Sequence, residues 1–265
     1  MLQMNVSTDC TTVTVKLFQL PPKFRLFGGP NGSGKTFLFD RLRRAGTIHT
    51  ELYINADKIL RDLNKRGNFN FNAYHVKCSE TEFKNHILQS GLYEHFQNDN
   101  LLNKLHLEGG VLKFDLDRKL LNAYNASLIA SYLVVKLFET GQSFCFETVM
   151  SHESKLELFD IAKAHKYKTY LYFVFTDNPE LNIVRVKLRA AGGLHDVDPE
   201  KVRERYERTF RLLPQALKKT DEDYIIDNSS EPTVIIEKHG KDISKVSVSP
   251  LTPRMRELIG GLISS

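Results

Sequence analysis

An eight-residue glycine-rich segment constrains this chain more than any other feature, because it matches the pattern G-x-x-x-x-G-K-[ST] in full. Its residues are Gly29, Pro30, Asn31, Gly32, Ser33, Gly34, Lys35 and Thr36. An apolar strand pattern precedes it and a helical pattern follows it, which is the context of a phosphate-binding loop. In such a loop the backbone N–H groups surround phosphate oxygens, Lys35 reaches the β- and γ-phosphates, and the Thr36 hydroxyl ligates magnesium. The motif predicts binding of a nucleoside triphosphate, ATP or GTP, together with Mg²⁺.

Strand and helix patterns alternate along the chain, which favours an α/β sandwich with a mainly parallel sheet. The segment Thr169–Phe175 is almost continuously apolar, as is typical of a central strand covered on both faces. The pattern is mainly helical from 58 to 140, and a terminal hairpin includes Thr233–Ile236. We therefore predict one P-loop NTPase-type domain over 1–265. Within it we expect an N-terminal extension (1–23), a helical insertion (58–140) and a C-terminal hairpin and tail (230–265).

Composition excludes several classes of protein. No stretch approaches the roughly 20 apolar residues that span a bilayer, and the N-terminus lacks a secretory signal pattern, so we expect a cytoplasmic protein without a membrane partner. The three cysteines form no CxxC pair, which argues against a zinc ribbon or a disulfide framework. A net charge of +5 suits phosphate-bearing ligands, but it is too diffuse to indicate nucleic-acid binding.

Two strand ends supply candidates for the acceptor side of the site. Asn55 and Asp57 follow the second strand, at the sheet edge where ligands collect in α/β folds. Asp57 is a candidate general base, although spacing alone equally allows it to cap the next helix. Glu147 and Thr148 end a third strand and could hold sugar hydroxyls or a magnesium-bound water. They too could instead cap the helix that follows.

The helix after Pro179 carries Arg185 and Arg189 on one face, four residues apart. Such a pair could close over the triphosphate and stabilise charge on the transferring phosphoryl group. A solvated basic face is the alternative, because arginines are frequent nearby at 203, 205, 208 and 211.

Several motifs in order resemble the zeta toxin-like P-loop kinases, over about Phe24 to Ser229. They are GPNGSGKT, YINAD, SFCFETVMS, YLYFVFT, NIVRVKLR, GGLHDVDPEKVRERYERT and YIIDNS. The resemblance implies a kinase that phosphorylates a small-molecule hydroxyl, with UDP-N-acetylglucosamine as the acceptor of the best-known members. By position, the resemblance implies that Asp57 is the catalytic base, that Glu147 and Thr148 line the acceptor site, and that Arg185 contacts the phosphates. The resemblance also implies a cognate antitoxin-like inhibitor as a possible protein partner.

This chain departs from that pattern in the segment Gly192–Pro199, where Leu194 interrupts a compact GGHDVP. His195 stands where relatives can carry a second phosphate-binding arginine, so Arg189 or Arg203 would have to take that role. Two other functions stay open at this stage. One is a polynucleotide or nucleoside kinase, and the other is an ATP-gated module that recruits a protein partner without catalysis.

Overall fold

The computed structural model describes residues 20–93, 101–192, 196–246 and 255–256. Seven α-helices and ten β-strands alternate over these ranges. The helices are α1 (Lys35–Arg44), α2 (Ala56–Arg66), α3 (Glu80–Gln89), α4 (Ala123–Thr140), α5 (Ser154–Ala164), α6 (Pro179–Ala191) and α7 (Pro199–Lys219). The strands are β1 (Lys23–Gly28), β2 (Tyr53–Asn55), β3 (Asn68–Asn70), β4 (Leu105–Glu108), β5 (Val111–Phe114), β6 (Phe144–Thr148), β7 (Lys168–Phe175), β8 (Glu222–Asp227), β9 (Thr233–His239) and β10 (Asp242–Val246).

Seven strands form the main sheet, in the order β10-β9-β8-β7-β1-β6-β2. The five strands from β8 to β2 run parallel, while β9 and β10 add an antiparallel edge. Strand β1 is central, and its carboxyl end leads directly into the glycine-rich loop. Because parallel strands end at the same edge, the ends of β1, β2 and β6 bring their following residues together there. The predicted α/β class, parallel sheet and terminal hairpin are confirmed.

The sheet is covered differently on its two faces. A large core on one face joins the sheet to α2, α4, α5 and α7, with buried phenylalanines such as Phe24, Phe138 and Phe144 in contact. A smaller core on the other face packs α1 against the sheet through Phe39, Phe27 and Tyr53. Helix α1, which begins inside the glycine-rich loop, is thereby fixed to the strands that carry the candidate site.

The predicted helical insertion contains α2, α3 and α4, and it also contains a small antiparallel sheet that the sequence reasoning did not predict. Its order is β3-β5-β4, and β3 pairs with β5 across more than forty residues, from Asn68 to Lys113. Its buried side chains, among them Phe69 and Leu112, join the large core. The insertion is therefore packed continuously with the main sheet.

Two sets of expectations lie outside the described residues. One is the N-terminal extension before residue 20, and the other is most of the C-terminal tail after 246. The interrupted segment Gly193–His195 is likewise not described. Within the described ranges, no helix combines the length and the apolar character needed to cross a bilayer.

Candidate phosphate-transfer site

The glycine-rich loop is built so that its backbone lies against neighbouring elements. Gly29 has φ +143°, and a Cβ there would lie 1.9 Å from the Val174 carbonyl oxygen of β7. Gly32 has φ +74°, and a Cβ there would lie 2.4 Å from the Asn182 carbonyl oxygen of α6. Only glycine satisfies both the left-handed backbone and these close approaches. The loop is thus shaped by contacts with β7 and α6 as well as by its own sequence.

Helix α1 leaves its first N–H groups without a side-chain cap. Its N-cap is Gly34, and its first turn carries no acidic residue. Uncapped N–H groups and the positive end of the helix dipole favour a bound anion at this terminus. The predicted phosphate cradle is consistent with this geometry.

Lys35 is buried beneath the loop. Its ammonium group donates hydrogen bonds to the carbonyl oxygens of Gly29 at 2.9 Å and Pro30 at 2.7 Å. Burial lowers its pKa, while the nearby carboxylates of Glu147 and Asp57 oppose that shift. The lysine is therefore surrounded by carbonyls and two carboxylates, and a triphosphate would provide further acceptors for its three donors.

Glu147 lies beside Thr36 at the end of β6. The Thr36 hydroxyl is 2.9 Å from Glu147 Oε2 and 3.2 Å from Oε1. The Tyr53 hydroxyl donates to Oε2 as well, and burial followed by the charge of Glu147 raises the Tyr53 pKa far above its ordinary value. A hydroxyl and a carboxylate are hard oxygen donors that suit Mg²⁺, so this pair fits the metal predicted from the motif. The motif predicts Thr36 as a magnesium ligand. For Glu147 the sequence predicted contact with either sugar hydroxyls or a magnesium-bound water.

Asp57 faces an arginine from the opposite wall of the site. Its carboxylate lies 3.3 Å from the Arg189 guanidinium, and both side chains are partly exposed. The cap of α2 is Asn55, whose side chain accepts from the Lys58 N–H at 3.1 Å. The alternative that Asp57 caps this helix is therefore wrong, and Asn55, predicted to bind substrate, takes that place. Asp57 thus forms an ion pair with Arg189 in place of a helix cap.

Glu147 and Thr148 do not cap the helix after β6 either, since α5 begins at Ser154 with Glu153 at its N-cap. Thr148 pairs in register with Gly28 and is half-buried at the mouth of the loop. Both residues therefore stand at the predicted sheet edge.

The two predicted arginines differ in their surroundings. Arg185 donates to the backbone carbonyls of Asn228 at 2.9 Å and Ser229 at 3.3 Å, so it fixes the loop after β8. Arg189 reaches Asp57. Arg203, the other candidate for a second phosphate ligand, pairs instead with Glu180 at 2.7 Å. Of these three, Arg189 is the one that contacts the candidate base.

Two asparagines that sequence reasoning missed hold the loop in place. The side chain of Asn182, fully buried in α6, donates to the Asn31 carbonyl at 2.6 Å and accepts from the Thr176 hydroxyl. Asn228 donates to the Ser33 carbonyl at 2.7 Å. These contacts join residues 151 and 195 positions apart, so no local pattern could have indicated them.

Three buried side-chain polar atoms have no hydrogen-bond partner within the described residues. They are Asn31 Oδ1, Ser33 Oγ and Arg189 Nε. All three belong to the loop or to the arginine that pairs with Asp57. Leaving such groups unpaired in the folded state is costly, and a bound ligand commonly satisfies them at a functional site. The two donors suit phosphate oxygens.

The fold and the loop together define an α/β protein with a P-loop, and solved structures are similar to it in architecture. The complex AvrRxo1-ORF1:AvrRxo1-ORF2 with sulphate ions aligns at a TM-score of 0.55 and 13% identity, over 91% of this chain and 63% of the matched chain. The structure of AvrRxo1-ORF1:-ORF2 with ATP gives the same values. The PezAT chromosomal toxin-antitoxin system of Streptococcus pneumoniae aligns at a TM-score of 0.49 and 14% identity, over 93% of this chain and 88% of that chain.

No protein-family model and no curated protein sequence matches this chain. The chain spans less than two thirds of the AvrRxo1 chain that it matches. At these identities the likeness is one of fold. The fold expected from the resemblance to zeta toxin-like P-loop kinases is confirmed.

Proposed function

We propose that this chain is a phosphotransferase that moves the γ-phosphoryl group of a nucleoside triphosphate, ATP in the first instance, to a hydroxyl of a small-molecule acceptor. The observation that carries the proposal is the convergence of charged groups around Lys35. Besides burial, the charges of Glu147, Asp57 and Arg189 influence the pKa of this ammonium group, and the Asp57 carboxylate lies 3.3 Å from the Arg189 guanidinium, although these residues come from β6, α2 and α6. A protein that only binds a nucleotide needs the loop and a metal, whereas a carboxylate paired with an arginine above the loop suits transfer.

In the proposed reaction, Asp57 accepts the proton of the acceptor hydroxyl as its oxygen attacks the γ-phosphorus. The bond between the γ-phosphorus and the β,γ-bridging oxygen breaks, and the nucleoside diphosphate leaves. Arg189 exchanges its contact with Asp57 for the γ-phosphoryl oxygens, which both frees the carboxylate and neutralises charge on the transferring group. Lys35 holds the β- and γ-phosphates.

Thr36 and Glu147 would hold Mg²⁺, which supplies neutralisation of the phosphate charge when it is bound. No cluster of three acidic, histidine or cysteine side chains forms a metal site among the described residues. That finding suits an ion held jointly by a few protein oxygens and nucleotide phosphates, as is usual for magnesium.

The acceptor and the partner rest on resemblance. A UDP-sugar, UDP-N-acetylglucosamine first, is the acceptor proposed from the zeta toxin-like motifs. An antitoxin-like inhibitor is proposed as a protein partner, since the AvrRxo1 structures are complexes of ORF1 with ORF2.

The test is a transfer screen with γ-labelled ATP and Mg²⁺ against UDP-sugars, nucleosides and oligonucleotides. Wild-type protein is compared with Lys35→Met, and with Lys163→Met as a matched control on an exposed part of α5. Label on a UDP-sugar with wild type and Lys163→Met, but not with Lys35→Met, is the expected result. Label on oligonucleotides alone would identify a polynucleotide kinase. ATP binding without any labelled acceptor would favour the gated module.

A further inference from the structure

Tyr53 of β2 makes two kinds of contact: its ring packs on helix α1, and its hydroxyl forms hydrogen bonds beside the glycine-rich loop that the packing does not require. Its ring stacks on Phe39 of α1, with centroids 3.8 Å apart and planes 7° apart, and the residue is 9% exposed. Its hydroxyl donates to Glu147 and accepts from the Asn55 amide at 3.3 Å. A phenylalanine would pack equally well on Phe39, so the hydroxyl is the informative part of this side chain.

Strand register explains why the hydroxyl reaches Glu147. Tyr53 pairs with Cys145 and Asn55 pairs with Glu147, so Tyr53 and Glu147 are diagonal neighbours on one face of the sheet. Diagonal neighbours lie about 7–8 Å apart at Cα, within the reach of an aromatic side chain. The tyrosine ring is fixed between strand and helix, so its hydroxyl has a defined position.

The Glu147 carboxylate receives two hydroxyl donors on the same oxygen. Tyr53 and Thr36 both donate to Oε2, and Oε1 is the more distant oxygen from Thr36 at 3.2 Å. A glutamate side chain is flexible, and holding it in one orientation has an entropic cost. Two fixed donors select one orientation. Because the Thr36 O–H donates its hydrogen bond to Glu147, the lone pairs of the Thr36 oxygen remain available to bind a cation.

We propose that Tyr53 is a positioning residue that holds the Glu147 carboxylate against Thr36, so that both oxygens are oriented for the magnesium of bound nucleotide. The inference rests on the proposed function for its metal and nucleotide. It adds that the affinity for Mg²⁺ depends on a phenol that itself touches neither the metal nor the phosphates. Groups that orient metal ligands typically change metal affinity about 10- to 100-fold when removed.

The test is calorimetric titration with ATP, first in EDTA and then over a series of MgCl₂ concentrations, using Tyr53→Phe. The ring and its stack are kept, so the variant should fold with a melting temperature close to that of wild type. We expect Mg-free ATP affinity to be unchanged and the Mg²⁺ concentration for half-maximal tightening of ATP to rise about tenfold.

Tyr172→Phe is the matched control, because Tyr172 is a buried tyrosine on the same sheet face whose ring stacks on Phe27. It should leave the Mg²⁺ midpoint unchanged. In a Glu147→Gln background, Tyr53→Phe should have no further effect on that midpoint.

Three outcomes would overturn the inference. They are an unchanged midpoint in Tyr53→Phe, an equal loss of ATP affinity with and without Mg²⁺, and a tenfold effect that persists in the Glu147→Gln background. Wild-type protein that binds no ATP at any Mg²⁺ concentration would instead refute the proposed function, before any variant is considered.

Discussion

The contact between α6 and the glycine-rich loop should control both stability and nucleotide binding, through Asn182. Replacing Asn182 by alanine leaves the partly buried Asn31 carbonyl without its 2.6 Å donor and removes one acceptor of the buried Thr176 hydroxyl. Leaving buried polar groups unpaired costs about 1–3 kcal/mol for each group. The Thr176 hydroxyl keeps a second partner, the Asn178 carbonyl at 3.1 Å, so we expect a total loss of about 2–4 kcal/mol.

For a chain of this size the unfolding entropy is about 0.56 kcal/mol/K, so that loss corresponds to a decrease in melting temperature of about 4–7 °C. The measurement is thermal unfolding followed by far-UV circular dichroism, together with calorimetric titration of ATP below the transition. We expect ATP affinity to fall at least about tenfold, because the Asn31 peptide loses the support that fixes the loop.

Asn178→Ala is the matched control for this experiment. Asn178 lies at the start of the same helix, where its side chain accepts from the Glu180 N–H at 2.8 Å, and it makes no hydrogen bond to the loop within the described part of the chain. Losing this cap should cost about 1 kcal/mol and leave ATP affinity unchanged. The reasoning is refuted if Asn182→Ala binds ATP as tightly as wild type, or if the two variants lose equal stability and affinity.

Three further outcomes are expected. Gly32→Ala should abolish ATP binding, because the new Cβ would collide with the Asn182 carbonyl. The control Gly46→Ala has a similar φ of +71° but open space around it, so it should cost only about 1–2 kcal/mol of stability and leave ATP binding unchanged. Equal ATP binding by the two variants would contradict the close approach at Gly32. Burial raises the pKa of Asp223 to about 6 from an ordinary 3.8, although Lys238 and Thr220 bond to its carboxylate and oppose the shift. Between about pH 4 and pH 6 the native state therefore holds a proton that the unfolded state has lost, and stability should fall as pH rises through that window. Urea unfolding of Asp223→Asn should show a flatter pH profile, and an unchanged slope would oppose the assignment. Adding EDTA to the ATP-bound protein should reverse most of the ATP-induced rise in melting temperature, and a rise indifferent to Mg²⁺ would argue against a shared metal.

The parts of the fold that the sequence predicted depend on local patterns. The loop, the buried strand β7, the helix α6 and the antiparallel hairpin each have a signature within one continuous segment. The small sheet β3-β5-β4 has such a signature only in part. The turn Gly109–Gly110 joins β4 to β5 locally, whereas β3 is three residues long and pairs with β5 across more than forty residues. The formation of this small sheet depends on packing against the insertion helices, and hydrophobic periodicity along the sequence gives no information about that packing.

The candidate site was predictable to the same extent. Lys35, Thr36 and Asp57 follow from a motif and a strand end. The sequence does not decide between Arg189 and Arg203, because both lie on basic helices. Only the three-dimensional arrangement shows that Arg189 pairs with Asp57 and that Arg203 pairs with Glu180. The bond from Tyr53 to Glu147 joins residues 94 positions apart and required the strand register.

The most direct test of the central claim separates nucleotide binding from transfer at Asp57. Wild type, Asp57→Asn and the matched control Asp62→Asn, from the same helix, are compared for ATP affinity and for the rate of γ-phosphoryl transfer to the acceptor that the screen identifies. The account predicts that Asp57→Asn binds ATP no more weakly than wild type and transfers about 10²- to 10⁴-fold more slowly, while Asp62→Asn behaves as wild type. Transfer by Asp57→Asn at the wild-type rate, or a loss of ATP affinity as large as the loss of rate, would contradict it.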